Sequence, residues 1–269
     1  MTMDGRISIW LLTLPLTALC AGCLTQTTQK TDNVVRPDEA AKVIKKGDGP
    51  KRDPKPATEI KFGEMKENEA DSAAGKTHPE IQAQLRDEAR KAYQHALKLD
   101  PDNVDAQRHL AKLYAKMGDY GRAQDIYKKA MAKRPNDATL WYDLGMCHSR
   151  RKELPDNQRF PEAIRCFTKA LELEPENRDY LKMLGFTLAW TGRIDQGLVY
   201  LTRAYGSAQA HLEMACMFDQ KRESTLAIQQ LRLALQENPQ LQTARDFLTA
   251  LENPGAAPNR VIPASRTGG

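Results

Sequence analysis

Four copies of one proline-punctuated helical pattern fill the middle of this chain, most of them about 34 residues apart. Pro101 and Pro135 are separated by 34 residues, and two further copies close at Pro175 and Pro239. A repeat of this length constrains the fold more than composition does. One helix pair of that size cannot bury its own apolar stripe, so stability has to come from stacking neighbours into a continuous core. The reading is an all-α solenoid of antiparallel helix pairs.

The clearest copy runs Trp141, Leu144, Gly145, then Ala163, Phe167, Ala170 and Pro175, with His148 where the pattern usually has Tyr. The copy before it reads Gln107, Leu110, Ala111, Tyr114, Ala123, Tyr127, Ala130 and Pro135, preceded by a half-copy at Ala89, Tyr93 and Ala96. A third runs Leu181, Leu184, Gly185, Leu188, Gly197, Leu201 and Ala204, shortened and without its proline. The fourth runs His211, Met214, Ala215, Phe218, Ala227, Leu231, Ala234 and Pro239. Small residues at Ala111, Gly145, Gly185 and Ala215 let two backbones approach, and apolar residues at three- and four-residue spacing fill the seam. These residues resemble the tetratricopeptide repeat family. The resemblance covers about residues 79–252 and implies a right-handed α-solenoid, with Leu241 to Leu251 as a capping helix.

The start of the chain has a different character. Ile7 to Leu19 is an apolar run after Arg6, too short for the roughly 20 residues that a bilayer crossing needs. It reads as a signal peptide over residues 1–22. The segment Leu19-Cys20-Ala21-Gly22-Cys23 resembles a bacterial lipobox, which makes Cys23 the expected lipid-attachment site and the cell envelope the expected location, facing the periplasm or the exterior. An ordinary secretory signal or an uncleaved anchor is the alternative. Residues 23–78 are rich in Pro, Lys, Glu and Asp, with Phe62 as the single aromatic, and read as a disordered tether, with helices over Asp38 to Lys46 and Glu59 to Lys66, transient or formed on a partner, as the alternative. As a flexible coil such a stretch would span roughly 40 Å. Residues 253–269, with three prolines and three glycines, read as a disordered tail.

No pattern of catalysis accompanies the repeats. The chain has no Gly-rich phosphate loop, no Gly-x-Ser-x-Gly and no paired His on a helix face, and its five histidines fall one to a segment. The expectation is a non-enzyme without cofactor or metal. Cys147, Cys166 and Cys216 remain after lipidation and read as buried small apolar side chains, with a Cys147–Cys166 disulfide as the alternative.

The family resemblance implies a binding surface instead. In such solenoids the first helix of each pair lines a concave wall, and its register here places Arg108, Lys112 and Lys116 on the first repeat, Tyr142, Met146 and Arg150 on the second, and Lys182, Phe186 and Trp190 on the third. Leu212, Cys216 and Asp219 follow on the fourth. This wall would be basic at one end and apolar in the middle, suited to a peptide or helix with an acidic end and apolar anchors. Relatives that clamp the carboxylate terminus of chaperone tails carry Asn where Lys112, Met146 and Phe186 stand, so that role is not expected. The net charge of +5 is spread over helices that also carry Glu and Asp, which reads as solvated faces. Nucleic-acid or anionic-surface binding through Arg108, Lys112 and Lys116 is the alternative. The layout as a whole resembles bacterial lipoproteins that serve as scaffolds in envelope assembly, in pilus, secretion or outer-membrane machinery.

Overall fold

The computed structural model describes residues 55–72 and 76–253. The expected signal peptide, Cys23, the tether as far as residue 54 and the tail from residue 254 lie outside the described residues. Within them are eleven α-helices and no strand. They are α1 (Pro56–Asp71), α2 (Pro79–Leu99), α3 (Val104–Lys116), α4 (Tyr120–Lys133), α5 (Ala138–Ser149), α6 (Asp156–Leu173), α7 (Arg178–Trp190), α8 (Ile194–Tyr205), α9 (Ser207–Gln220), α10 (Ser224–Glu237) and α11 (Gln242–Glu252). Helices pair as α1–α2, α3–α4, α5–α6, α7–α8 and α9–α10, each pair packs on the next, and α11 closes the stack on α10. This is the expected α-solenoid.

The repeats begin earlier than their sequence pattern. Pro56–Asp71, expected inside the disordered tether, is a helix that pairs with α2 and completes the half-copy marked by Tyr93. Its sequence looks solvated because its buried positions are Gly63, Glu67 and Ala70 rather than an apolar stripe.

Two local devices build the stack. Asn103, Asp137 and Asn177, each two residues after a proline, accept hydrogen bonds from the first free backbone N–H groups of α3, α5 and α7. Across each pair, a small residue on the first helix faces a large one on the second. Tyr93, Tyr127, Phe167, Leu201 and Leu231 are at most 1% exposed. A Cβ on Gly63 would lie 2.4 Å from Tyr93, and one on Gly145 would lie 2.6 Å from Phe167. Burying each such side chain contributes on the order of 1.5–3 kcal/mol, so the glycines are what admit the largest apolar groups to the seam.

The third repeat lacks a proline because it has almost no connector. Gly206 alone joins α8 to α9, ending one helix and starting the next with φ 86° and ψ 158°. Within pairs, Gly118 and Gly192 turn the chain with φ of 83° and 88°, and Arg222 holds the matching place with φ 61°. A left-handed non-glycine residue is strained by about 1–2 kcal/mol, whereas glycine adds roughly 0.5–1 kcal/mol of chain entropy to the unfolded state. Arg222→Gly is therefore expected to stabilise the fold by about 0.5 kcal/mol, read as a rise of roughly 1–2 °C in thermal unfolding. An unchanged or lower midpoint would show that the Arg222 side chain contributes more than its backbone loses.

The second repeat carries about six extra residues between its helices, around Lys152 to Phe160, and they are not all loop. Asp156 to Phe160 add a turn to the start of α6, and Phe160 is buried with the Arg159 guanidinium 4.5 Å from its ring. Cys147, Cys166 and Cys216 are free, buried thiols, so the Cys147–Cys166 disulfide is absent. Burial pushes their pKa values to about 11, 12 and 12 and keeps them protonated at neutral pH.

Candidate functional site

Along α3, α5 and α7 the expected wall residues recur every four positions and so share one face of each helix. The face of α3 meets carboxylates from both sides. Arg108 Nε donates to Asp143 Oδ2 of α5 at 2.6 Å, and Asp143 is only 6% exposed. Burial works to lower the Arg108 pKa, and the Asp143 carboxylate more than offsets it. Lys116 Nζ lies 2.9 Å from Glu67 and 2.7 Å from Asp71, both on α1. Burial likewise opposes its charge and these two carboxylates restore it.

The basic end expected from sequence is thus a mixed surface. Glu64, Glu67, Asp71, His109, Lys112 and Lys116 line one depression between α1 and α3. His109 stacks on Tyr93 at 5.4 Å and approaches Glu64 at 3.1 Å, while burial lowers its pKa and favours the neutral ring. Among the described residues, Lys112 and Arg150 are the expected wall cations with no carboxylate in ion-pair range. Two of the three cations assigned to phosphate binding are therefore already neutralised.

The middle of the wall is apolar, and its side chains are half-buried. Tyr142 tilts against Phe167 and Tyr180 with ring centroids 5.8 and 5.0 Å away, and burial pushes its phenol to about 12. Met146 packs on the same cluster. Phe186 meets Tyr205 edge-on at 6.4 Å. Burial, followed by Glu213 and Asp179, raises Tyr205 to about 12. Trp190 donates its indole N–H to Asp156 Oδ2 at 3.2 Å, and Lys221 Nζ stands 5.7 Å from its ring. Lys182 pairs with Asp179 on its own helix and sits 6.0 Å from the Tyr205 ring. Phe186 and Trp190 thus keep one exposed side while their inner edges press on the C-terminal core.

Two expected wall residues do not reach the surface. Leu212 and Cys216 are 2% and 3% exposed and belong to that C-terminal core. Helix α9 packs against α7, and Leu212 and Cys216 join the same cluster on which Phe186 and Trp190 press. Asp219 at the end of the same helix is half-buried. Sequence reasoning missed Asp143 and the α1 carboxylates Glu64, Glu67 and Asp71. A signal for α1 was present in Phe62-Gly63, which stands where Leu144-Gly145 stands in the clearest copy.

Among the described residues, no group of three or more His, Cys, Asp or Glu side chains could hold a metal ion, and no helix is long and apolar enough to cross a membrane.

Residues 107–236 match the family described as the cilia and flagella-associated protein 70 middle TPR-like domain, and residues 86–118 match the TPR repeat family. A stretch of 93 residues is 34% identical to human protein O-mannosyl-transferase TMTC3, covering 34% of this chain and 10% of that protein. Another of 99 residues is 29% identical to photosystem I assembly protein Ycf3 of Prochlorococcus marinus strain NATL1A, covering 33% of this chain and 57% of the relative. The chain thus spans between about a tenth and somewhat over half of these relatives' lengths. A solved thermophilic TPR protein of Thermus thermophilus is 16% identical, with a TM-score of 0.49 over 73% of this chain and 98% of that one.

Proposed function

From the premise that the chain is a tetratricopeptide repeat protein, a fold that binds protein partners, we propose that it is a membrane-anchored scaffold that holds a partner polypeptide against the wall of its first helices. The observation that carries this reading is the run of Tyr142, Met146, Phe186 and Trp190 across α5 and α7, half-buried side chains with rigid inner contacts and one open side. Rigid aromatic anchors of this kind dominate binding energy at protein interfaces. Lys112, before the run in sequence, and Arg150, between its two halves, would meet acidic groups of the same partner.

The anchor in this reading is Cys23, acylated after removal of residues 1–22, with the following polar segment as tether and the cell envelope as the place of work. A scaffold so placed fits assembly of an envelope complex such as a pilus, a secretion system or the outer membrane. The reading is supported by the lipobox-like Leu19 to Cys23 and by the repeats, which are built for contact rather than turnover.

The test is affinity capture from native membranes with the wild type, Cys23→Ser, and Phe186→Ala combined with Trp190→Ala, with helicity checked by circular dichroism. A folded double variant is expected to bind the captured partner about 30-fold more weakly or worse, corresponding to loss of about 2 kcal/mol from a central anchor pair. Cys23→Ser is expected to shift the protein from the membrane to the soluble fraction. Undiminished binding by the folded double variant would refute the wall, and retention of Cys23→Ser in the membrane would refute the anchor.

A further inference from the structure

The two ends of the solenoid are held by different forces. At the C-terminal end, α11 buries Ala244 and Phe247 and adds Leu248 and Leu251 to the last core cluster. At the N-terminal end, α1 gives the core little more than Ile60 and Ala70, while Phe62 and Met65 are 44% and 50% exposed. What α1 does offer is charge. Lys66 pairs with Glu88 at 3.1 Å, while Glu59 and Glu64 lie 3.3 and 3.1 Å from the His95 and His109 rings, polar contacts that become ion pairs only when the rings are protonated. Asp71 meets Arg86 at 3.3 Å and Lys116 at 2.7 Å. Glu67 takes both Lys116, at 2.9 Å, and the Tyr93 hydroxyl, which donates at 2.7 Å. Every one of these bonds joins α1 to α2 or α3.

We propose that α1 is an electrostatic latch: a helix held on α2 and α3 by ion pairs, which lifts away while the remaining helices stay folded and so uncovers the Tyr93 ring, His109 and Lys116. Three features support this. The apolar groups of the contact are chiefly the Tyr93 ring, Ile60 and Ala70, so its opening forfeits the burial of one large side chain, and the rest of what holds it is charge. The charges are hydrated once α1 departs, which offsets much of the attraction they lose. The repeats communicate only through neighbours, so the end unit can open without dissolving the rest. Closed, the latch neutralises Lys116; open, it presents Lys116 beside Lys112 to an anionic partner, while Arg108 stays paired with Asp143. The latch stands independently of where the protein is anchored.

Salt distinguishes the two ends. Added salt screens ion pairs, shortening the Debye length from roughly 10 Å at 0.1 M to about 3 Å at 1 M, and leaves apolar contacts intact. Hydrogen exchange of the full chain, read by mass spectrometry in low salt and at 1 M NaCl, would measure both ends in one sample. Peptides within Pro56–Asp71 are expected to exchange about tenfold faster at high salt relative to those within Gln242–Glu252, with α5 to α10 unchanged. Lys116→Gln at low salt is expected to reproduce most of that acceleration and to flatten its salt dependence. Equal responses at the two ends, or collective loss of protection along the whole chain, would overturn the latch. The wild-type titration decides the matter even if Lys116→Gln unfolds.

Discussion

Gly197→Ala is expected to destabilise the solenoid by about 2 kcal/mol, although alanine is the better helix former. A Cβ at position 197 of α8 would lie 2.6 Å from the Gly185 carbonyl oxygen and 2.9 Å from both the backbone nitrogen and the Cβ of Ala189. Two of those neighbours are backbone atoms of α7 and have no rotamer to retreat into. The methyl group therefore has to push two helices apart, an overpacking cost of roughly 3 kcal/mol, against a propensity gain of about 1 kcal/mol. The internal control is Gly121→Ala on α4, where an added Cβ meets nothing within 4 Å. There the propensity gain stands alone, and stability is expected to rise by as much as about 1 kcal/mol. Urea unfolding of the pair would read the same chemical change with opposite signs. A neutral Gly197→Ala would mean that α7 and α8 can separate freely, contrary to the burial of Leu184 and Leu201 between them.

Gly206→Val is expected to be worse, by about 3 kcal/mol, for a reason that involves no clash. Nothing lies within 4 Å of the place a Cβ would take. The obstacle is the backbone: φ 86° with ψ 158° falls in a region open essentially to glycine, where another residue is strained by on the order of 1–3 kcal/mol, with branching at Cβ placing Val at the upper end. A variant that relieves this strain by rotating the junction would turn α9 away from α7 and pull Leu212 and Cys216 out of their core. Hydrogen exchange is expected to show the loss in α9, α10 and α11 first, with α3 to α6 still protected. Uniform loss across the chain, or none, would contradict that assignment.

Most of the fold was legible because its rule is local and repeats. A small residue at Ala111, Gly145, Gly185 or Ala215 predicts its large neighbour on the second helix, and the Asn or Asp two residues after Pro101, Pro135 and Pro175 predicts where the next helix starts. The first helix escaped because its contacts are polar, and periodicity of apolar residues is blind to a face made of Gly63, Glu67 and Ala70. The wall was legible in register and not in charge state. Arg108 and Lys116 do share a face, but the carboxylates that neutralise them stand 35 residues later and 49 residues earlier, distances at which no local pattern operates. Leu212 and Cys216 failed for a third reason: their register is that of the wall, but they are themselves apolar and are buried in the C-terminal cluster.

That missing connector also governs how such a chain could be rearranged in evolution or by design. At Pro101, Pro135 and Pro175, each repeat carries its own stop and its own cap, so a unit can be cut, copied or exchanged with both ends complete. At Gly206 the last residue of one repeat is the first of the next. The segment from α7 to α10 consequently behaves as one indivisible block for recombination: a break at residue 206 leaves one of the two helices without its end, whereas breaks at the proline sites leave every helix whole.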